Sequence, residues 1–415
     1  MPTAEHRRGP AQPSGPPDLP ADPLTGMVAA RTGLYVHFPF CLARCPYCDF
    51  AVTVAREVPG ARYRAALVRE LGLRLEAHPS WAGRTLDSVY LGGGTPSLWE
   101  PGEVAGLLEA VSGVLPLRPG AEVTLEANPE VADVRRLSGY RAAGVNRLSL
   151  GLQSFDARTL SALGRAHRPE QGREAFAAAR SAGFDNVSVD LILGVEGQGV
   201  EEALADARSA AALGPDHVST YVLTVEREAL AEETVFARRL RTGALRLPTD
   251  EVVAEMLDGV TDVLGSSGLV RYEISNHARP GKHARHNALY WTGGDYLGLG
   301  AGATGSWREG TGGLRTTAHR SAERWFSDVE ASRLPEASRE TLGPDELFAE
   351  RLMLGLRLTS GLDVERLTRE HGKTDRLDRL RRLESEGLGA RGPEGRFRLT
   401  RRGLLLHSEV CARLL

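Results

Sequence analysis

The chain has 415 residues, a formal net charge of −3, 41% hydrophobic and 25% charged residues, which is ordinary for a globular protein with room for one large core and a smaller appended unit. No apolar run approaches the ~18 residues of a membrane span, and the charge balance argues against a dedicated nucleic-acid binder, which carries a basic face. Lys282 and Lys373 are the only lysines, so the abundant arginine is read as compositional bias and not as phosphate recognition.

Residues 1–30 are proline-rich and lack the apolar centre of a signal peptide; a disordered tail is expected, and with it a cytoplasmic location. An apolar run at 34–38 then reads as a buried strand. Directly after it come Cys41, Cys45 and Cys48 in a C-x3-C-x2-C arrangement, three of the four cysteines in the chain. In a reducing compartment clustered thiols read as metal ligands. A structural zinc site normally closes with four ligands, which here would need His37 or the distant Cys411. Three thiolates on a four-iron cluster leave one iron open for a small molecule.

Further on, helical periodicity alternates with short apolar runs. Helices are expected at 62–76, 103–114, 131–143, 169–182 and 200–213, and strands at 86–91, 123–127, 145–150, 187–193 and 217–223. With the first strand this gives about six βα units and a parallel sheet, a partial (β/α)6 barrel. Functional groups of such barrels gather at the carboxyl ends of the strands. The cysteine loop, the GGGTPS run at 92–97, Glu126, Gln153 and Asp190 all fall at or near those ends. GGGTPS lacks the form of a phosphate loop and alone would be a tight turn. Glu126 alone could cap a helix, Asp190 could be a paired structural acid, and Arg165 could be solvated; the two acids are the stronger candidates, because charge amid strand residues is costly unless partnered.

The texture changes at 272–305, which is dense in glycine, aromatics and histidine (His277, His283, His286). Neutral imidazole ligates haem iron; a barrel-closing segment with surface histidines is the plain alternative. Residues 311–340 are expected to be a linker. The 341–415 segment reads as a small, mostly helical, winged-helix-like domain, with helices at 345–356, 364–371, 374–386 and 401–414, a hairpin arm at 395–400, and Cys411 as a buried thiol. Its arginines alternate with acids, as on a solvated face, so DNA binding is not expected.

The cysteine spacing with Tyr47 before the third thiol resembles the radical S-adenosylmethionine (SAM) superfamily. The segments GLYVHFPFC, CPYCDF, GGGTPS, EANP, GLQSFD, YEISN, RHNALYW and GDYLGLGAGA resemble the oxygen-independent coproporphyrinogen III oxidase group and, within it, the HemW-type haem chaperone branch. The resemblance implies a [4Fe-4S] cluster on Cys41, Cys45 and Cys48, with SAM chelating the fourth iron. SAM would be placed by Tyr35 and the Gly93, Gly94 and Thr95 backbone, with Glu126, Gln153, Arg165 and Asp190 around it. It implies haem held by His286 of HNALYW, haem-acceptor proteins as partners, an electron donor if SAM is cleaved, and a C-terminal domain that covers the barrel as a lid; a homo-oligomer is compatible with it. The oxidase has a further cysteine where this chain has Phe50, so the chaperone is the favoured reading, and radical decarboxylation of coproporphyrinogen propionates is the alternative. At Thr304 related chains often carry histidine, which puts a role for that position in doubt.

Overall fold

The protein was analysed as a computed structural model that describes residues 32–225, 233–392 and 395–415; the tail expected at 1–30 lies outside the described residues. Its main sheet has twelve strands among the described residues. In chain order they are β1 Thr32–Phe38, β2 Leu86–Gly93, β3 Leu117–Ala127, β4 Arg147–Gln153, β5 Val187–Leu193, β6 His217–Val222, β7 Val270–Arg271, β8 Asn276–Ala278, β9 Asp295–Leu299, β10 Thr304–Glu309, β11 Gly312–Ala318 and β12 Glu336–Leu342. Across the sheet the order is β12-β11-β10-β9-β1-β2-β3-β4-β5-β6-β8-β7. Strands β1 to β6 are parallel neighbours in sequence order, as helical crossovers demand. No pairing joins β12 to β7 among the described residues, so the barrel is partial.

Alternation along each strand decides which face meets the helices. Leu34, Val36 and Phe38 of β1, Val89 and Leu91 of β2, Val123 and Leu125 of β3, Leu148 and Leu150 of β4, and Val187, Val189 and Leu191 of β5 belong to one buried apolar core. Helices Gly60–Ala77, Pro101–Val114, Pro169–Ser181 and Val200–Ala212 complete it. The intervening positions face the barrel interior and are polar: Ser88, Glu122, Arg147, Ser188 and His217 are each at most 5% exposed. Buried polar groups hold such places only when partnered. Ser188 meets His217 Nδ1 at 2.8 Å, and Glu122 accepts the backbone N–H of Arg285 at 2.9 Å and of His286 at 3.0 Å.

Those last two bonds fix the helix Arg285–Thr292 at the end of the barrel where the strands begin. His286 Nδ1 lies 2.9 Å from Ser88 Oγ and Nε2 lies 2.7 Å from the Tyr290 hydroxyl, so both ring nitrogens are engaged inside the protein.

Residues 311–340 are not a linker. β11 pairs β10 and β12 along its length, and the helix Ala322–Glu330 buries Ala322, Trp325, Phe326 and Val329 in the main core. The physical reason is the i, i+3, i+4, i+7 spacing of those four residues, which gives the helix an apolar stripe.

The C-terminal segment has its own core, from Phe348 to Leu414. Helices Pro344–Gly355, Val364–Glu370 and Arg376–Ser385 precede a two-stranded wing, Gly389–Arg391 against Phe397–Leu399, and the helices Arg401–Leu405 and His407–Leu414 follow. Cys411 is 4% exposed within this core. The domain docks through Arg357, whose Nη2 donates to the buried Glu273 at 2.9 Å and whose guanidinium stacks on Trp291 at 4.3 Å. This contact places it beside the helix Arg285–Thr292. None of the described residues lining the main cavity comes from it, so the expectation of a lid over the site is corrected.

Candidate cofactor cavity

A cavity of about 430 Å³ opens at the carboxyl ends of the parallel strands, and Cys41, Cys45 and Cys48 all line it. The loop that carries them is closed at its base, where Phe40 pairs with Thr53 and Cys41 with Val54, and inside it Cys48 N–H donates to the Cys45 carbonyl at 3.1 Å. Among the described residues no three Cys, His, Asp or Glu side chains stand converged for a metal ion, so the thiols border the cavity without forming a cage. Burial raises the pKa of Cys41, and that of Cys48 to about 11. Both thiols are therefore protonated near neutrality, and a metal centre must displace their protons.

The opposite wall is the glycine run after β2. Gly94 N–H donates to the Phe38 carbonyl at 2.7 Å and Thr95 N–H to the Phe40 carbonyl at 2.9 Å, while Gly93 N–H donates to Glu126 Oε2 at 3.0 Å. These amides are thus engaged within the protein, as is the Thr95 carbonyl, which accepts the Leu98 N–H at 2.9 Å. Glycine is required here. A Cβ on Gly93, at φ +113°, would stand 2.6 Å from the His37 ring, and one on Gly94 would stand 2.8 Å from the Phe40 carbonyl and 3.0 Å from Cys41 Sγ. His37, once a candidate fourth ligand, has both nitrogens occupied, at 2.9 Å from the Tyr35 hydroxyl and 2.8 Å from the Ala51 carbonyl.

Glu126 reaches the cavity from β3 and accepts the Tyr90 hydroxyl at 2.7 Å. Burial pushes its pKa up to about 7, against the pull of its two donors. Asp190 accepts Ser149 Oγ at 3.0 and 3.1 Å, and burial holds its carboxyl above the usual range. Gln153 ends β4 at φ +65°, a conformation that costs a non-glycine residue about 1–3 kcal/mol and persists where the surroundings enforce it. Its Oε1 is buried without a partner, as is Arg165 Nε. The same Arg165 directs Nη2 to Asn128 Oδ1 at 2.9 Å and Nη1 toward Cys45 Sγ at 3.7 Å. Three thiols, a cation beside one of them, an acid that half-ionises near neutrality and orphaned polar atoms fit a polar ligand bound next to a metal centre.

Residues 35–210 match the model of the radical SAM superfamily, and residues 342–406 match the HemN C-terminal domain. The chain is 38% identical to the heme chaperone HemW of Mycobacterium tuberculosis (strain CDC 1551 / Oshkosh) over 96% of this chain and 98% of that protein. The chain belongs to the HemW branch of the radical SAM superfamily. It is also 37% identical to the heme chaperone HemW of Escherichia coli (strain K12), covering 77% of this chain and 82% of that one. Coproporphyrinogen III oxidase (HemN) from Escherichia coli has the same fold, with a TM-score of 0.77 at 23% identity over 94% of this chain and 92% of that chain.

Within this HemW-branch cavity the structure brings together the three cysteines with Gly93, Gly94, Thr95, Glu126, Gln153, Arg165 and Asp190. Two expected residues fall elsewhere. Tyr35 does not line the cavity; it stacks on Tyr90 with ring centroids 6.2 Å apart and faces a neighbouring cavity. His286 lies beneath the cavity, stacked on Tyr90 with ring centroids 5.2 Å apart; it is 1% exposed and both its ring nitrogens are bonded within the protein, so its expected role as haem ligand is corrected. His277 and His283 are equally enclosed, at 1% and 5% exposed. Tyr90, Asn128, Ser149 and Tyr221 line the cavity but were not singled out in the sequence. Their signal was period-two spacing, since Tyr90 stands two residues before Gly92 and Ser149 two before Gly151.

Proposed function

We propose that this protein is a cytoplasmic haem chaperone, which binds haem together with a SAM-ligated [4Fe-4S] cluster and passes the haem to acceptor proteins. The observation that carries the reading is Phe50, which occupies the place of the oxidase's additional cysteine in a chain similar over nearly its whole length to heme chaperones. No helix among the described residues is long and apolar enough to cross a membrane.

In this proposal Cys41, Cys45 and Cys48 would hold the cluster and leave one iron to SAM; when bound, the cluster would supply the electron chemistry of the site. The chain's own residues bind and orient. The Glu126 carboxylate, bonded to the turn at Gly93, would receive the SAM ammonium, an arrangement that favours ionised Glu126. Gln153 Oε1 and Arg165 Nε gain partners on the ligand, and the Arg165 charge offsets the thiolate beside it. Asp190, deeper in the barrel, is held by serine hydroxyls for a ligand hydroxyl.

Anaerobic reconstitution with iron and sulfide, followed by haem titration and a coproporphyrinogen assay on the same sample, tests the proposal. Haem binding without decarboxylation is expected. A vinyl-bearing product would instead establish the oxidase reading.

A further inference from the structure

A second cavity, of about 250 Å³, adjoins the first, and Phe50 lines both. Its other walls come from motifs that the cofactor cavity does not use: Tyr290 of HNALYW, Tyr296 of β9, Thr304 of β10, and Tyr35 of β1. The aromatic walls are held in place. Tyr290 and Tyr296 meet edge to face with ring centroids 4.6 Å apart, the Tyr290 hydroxyl is bonded to His286 and the Tyr35 hydroxyl to His37. At the rim stands Arg320, an exposed side chain. It donates to the backbone carbonyl of Asp49, a neutral acceptor, and forms no ion pair with a carboxylate among the described residues.

Aromatic rings that line an open slot, with one guanidinium free of carboxylate partners at the opening, suit a flat apolar group that ends in a carboxylate. The volume is below the roughly 300–1,000 Å³ of sites that enclose a whole ligand of drug size, so only the edge of a larger molecule enters. Phe50 is 54% exposed and lines both cavities, so its ring is open to a ligand that spans them.

Resting on the haem reading above, we propose that this second cavity receives the propionate-bearing edge of haem. Arg320 pairs with the carboxylate, Tyr290 and Tyr296 wall the ring edge, and the macrocycle covers Phe50 beside the cofactor cavity. The inference also gives the HNALYW segment a part in haem binding, through Tyr290 as a wall with His286 positioning it.

The test is a titration of the cluster-loaded, full-length protein with haem and with haem dimethyl ester. The wild type is expected to bind the diacid about tenfold tighter than the diester, the size of one charge-assisted contact. Arg320→Met should abolish that preference. Arg320 also anchors Asp49 in the cysteine loop, but a loosened loop would weaken both porphyrins alike, so a uniform weakening with the preference retained would overturn the proposal. Thr304→Leu, which narrows the cavity, should weaken both porphyrins while iron per chain stays at the wild-type level; unchanged haem affinity in that variant would also overturn it. In either of these cases tight haem binding by the wild type leaves the carrier reading standing. If the wild type binds neither porphyrin, the carrier reading and this site fall together.

Discussion

Glu126 offers a quantitative check on the polarity of the cofactor cavity. Burial raises its carboxyl to about 7 in the folded protein, from an ordinary value of 4.5. Between those two values the folded protein keeps a proton that the unfolded chain has released. The contribution of this group to stability is therefore fully present below about pH 4.5 and is lost as pH rises to about 7. At roughly 1.36 kcal/mol per pKa unit, the loss is about 3 kcal/mol. Glu126→Gln removes the titration, because an amide has no such proton to release. Its NH2 group would face either the Tyr90 hydroxyl or the Gly93 N–H, a fixed penalty that sets an offset and not a slope. Urea unfolding of the reduced, metal-free protein at intervals from pH 4 to pH 8 measures the difference between variant and wild type. That difference should move in favour of the variant by about 3 kcal/mol across the range. A difference that stays constant with pH, or moves the other way, would refute the assignment of Glu126 as a carboxyl destabilised by burial.

Each of Cys41→Ser, Cys45→Ser and Cys48→Ser should lose the four-iron complement after anaerobic reconstitution, and Cys411→Ser should keep it, as read by iron per chain; full iron in Cys45→Ser would sink the cluster assignment. Gly93→Ala should lower stability by about 2–3 kcal/mol, combining the strain of a side chain at φ +113° with the 2.6 Å approach to His37; an unchanged urea midpoint would mean that the turn and the His37 ring yield to a side chain. His286→Ala removes two buried hydrogen bonds and should cost about 2–3 kcal/mol while the Soret maximum of the haem complex stays in place. A shifted Soret band in that variant would restore His286 as an axial ligand.

The outward faces of β1 to β6 were legible because Val and Leu recur at the spacing of strands buried on a helix layer. The glycine run was legible as well, and Gly93 and Gly94 are required by contacts with His37, Phe40 and Cys41. What the sequence hid was the inward face. Glu122, Arg147, Ser88 and His286 lie far apart in the chain; the register of β2, β3 and β4 sets Ser88 opposite Glu122 and Arg147 opposite Thr124, and the helix Arg285–Thr292 brings His286 to Ser88. The segment 336–342 shows the same limit: Glu336–Leu342 buries only Leu342, so no apolar pattern marks it as a strand, and its place comes from pairing with β11. Arg320 was hidden for a further reason. An exposed arginine in an arginine-rich chain carries no signal until its neighbours are known.

The same polar interior bears on how cargo and cofactor could communicate. Glu122 secures the helix Arg285–Thr292 at one end of the barrel, and His286 on that helix ties Ser88 to Tyr290. Tyr290 is a wall of the second cavity, whose other wall, Phe50, belongs also to the cofactor cavity. A porphyrin edge seated against Tyr290 would therefore press on the residue two positions after Cys48. Loading of the cluster, which draws Cys48 into a metal bond, would in turn fix Phe50. By reciprocity of binding free energies, a cluster that orders Phe50 must tighten haem by the same factor by which haem stabilises the cluster. The comparison is direct: haem affinity with and without the cluster, against cluster retention under chelator with and without haem. A cluster-free protein that binds haem as tightly as the loaded one would show that the two cavities act independently, and that Phe50 separates them without linking them.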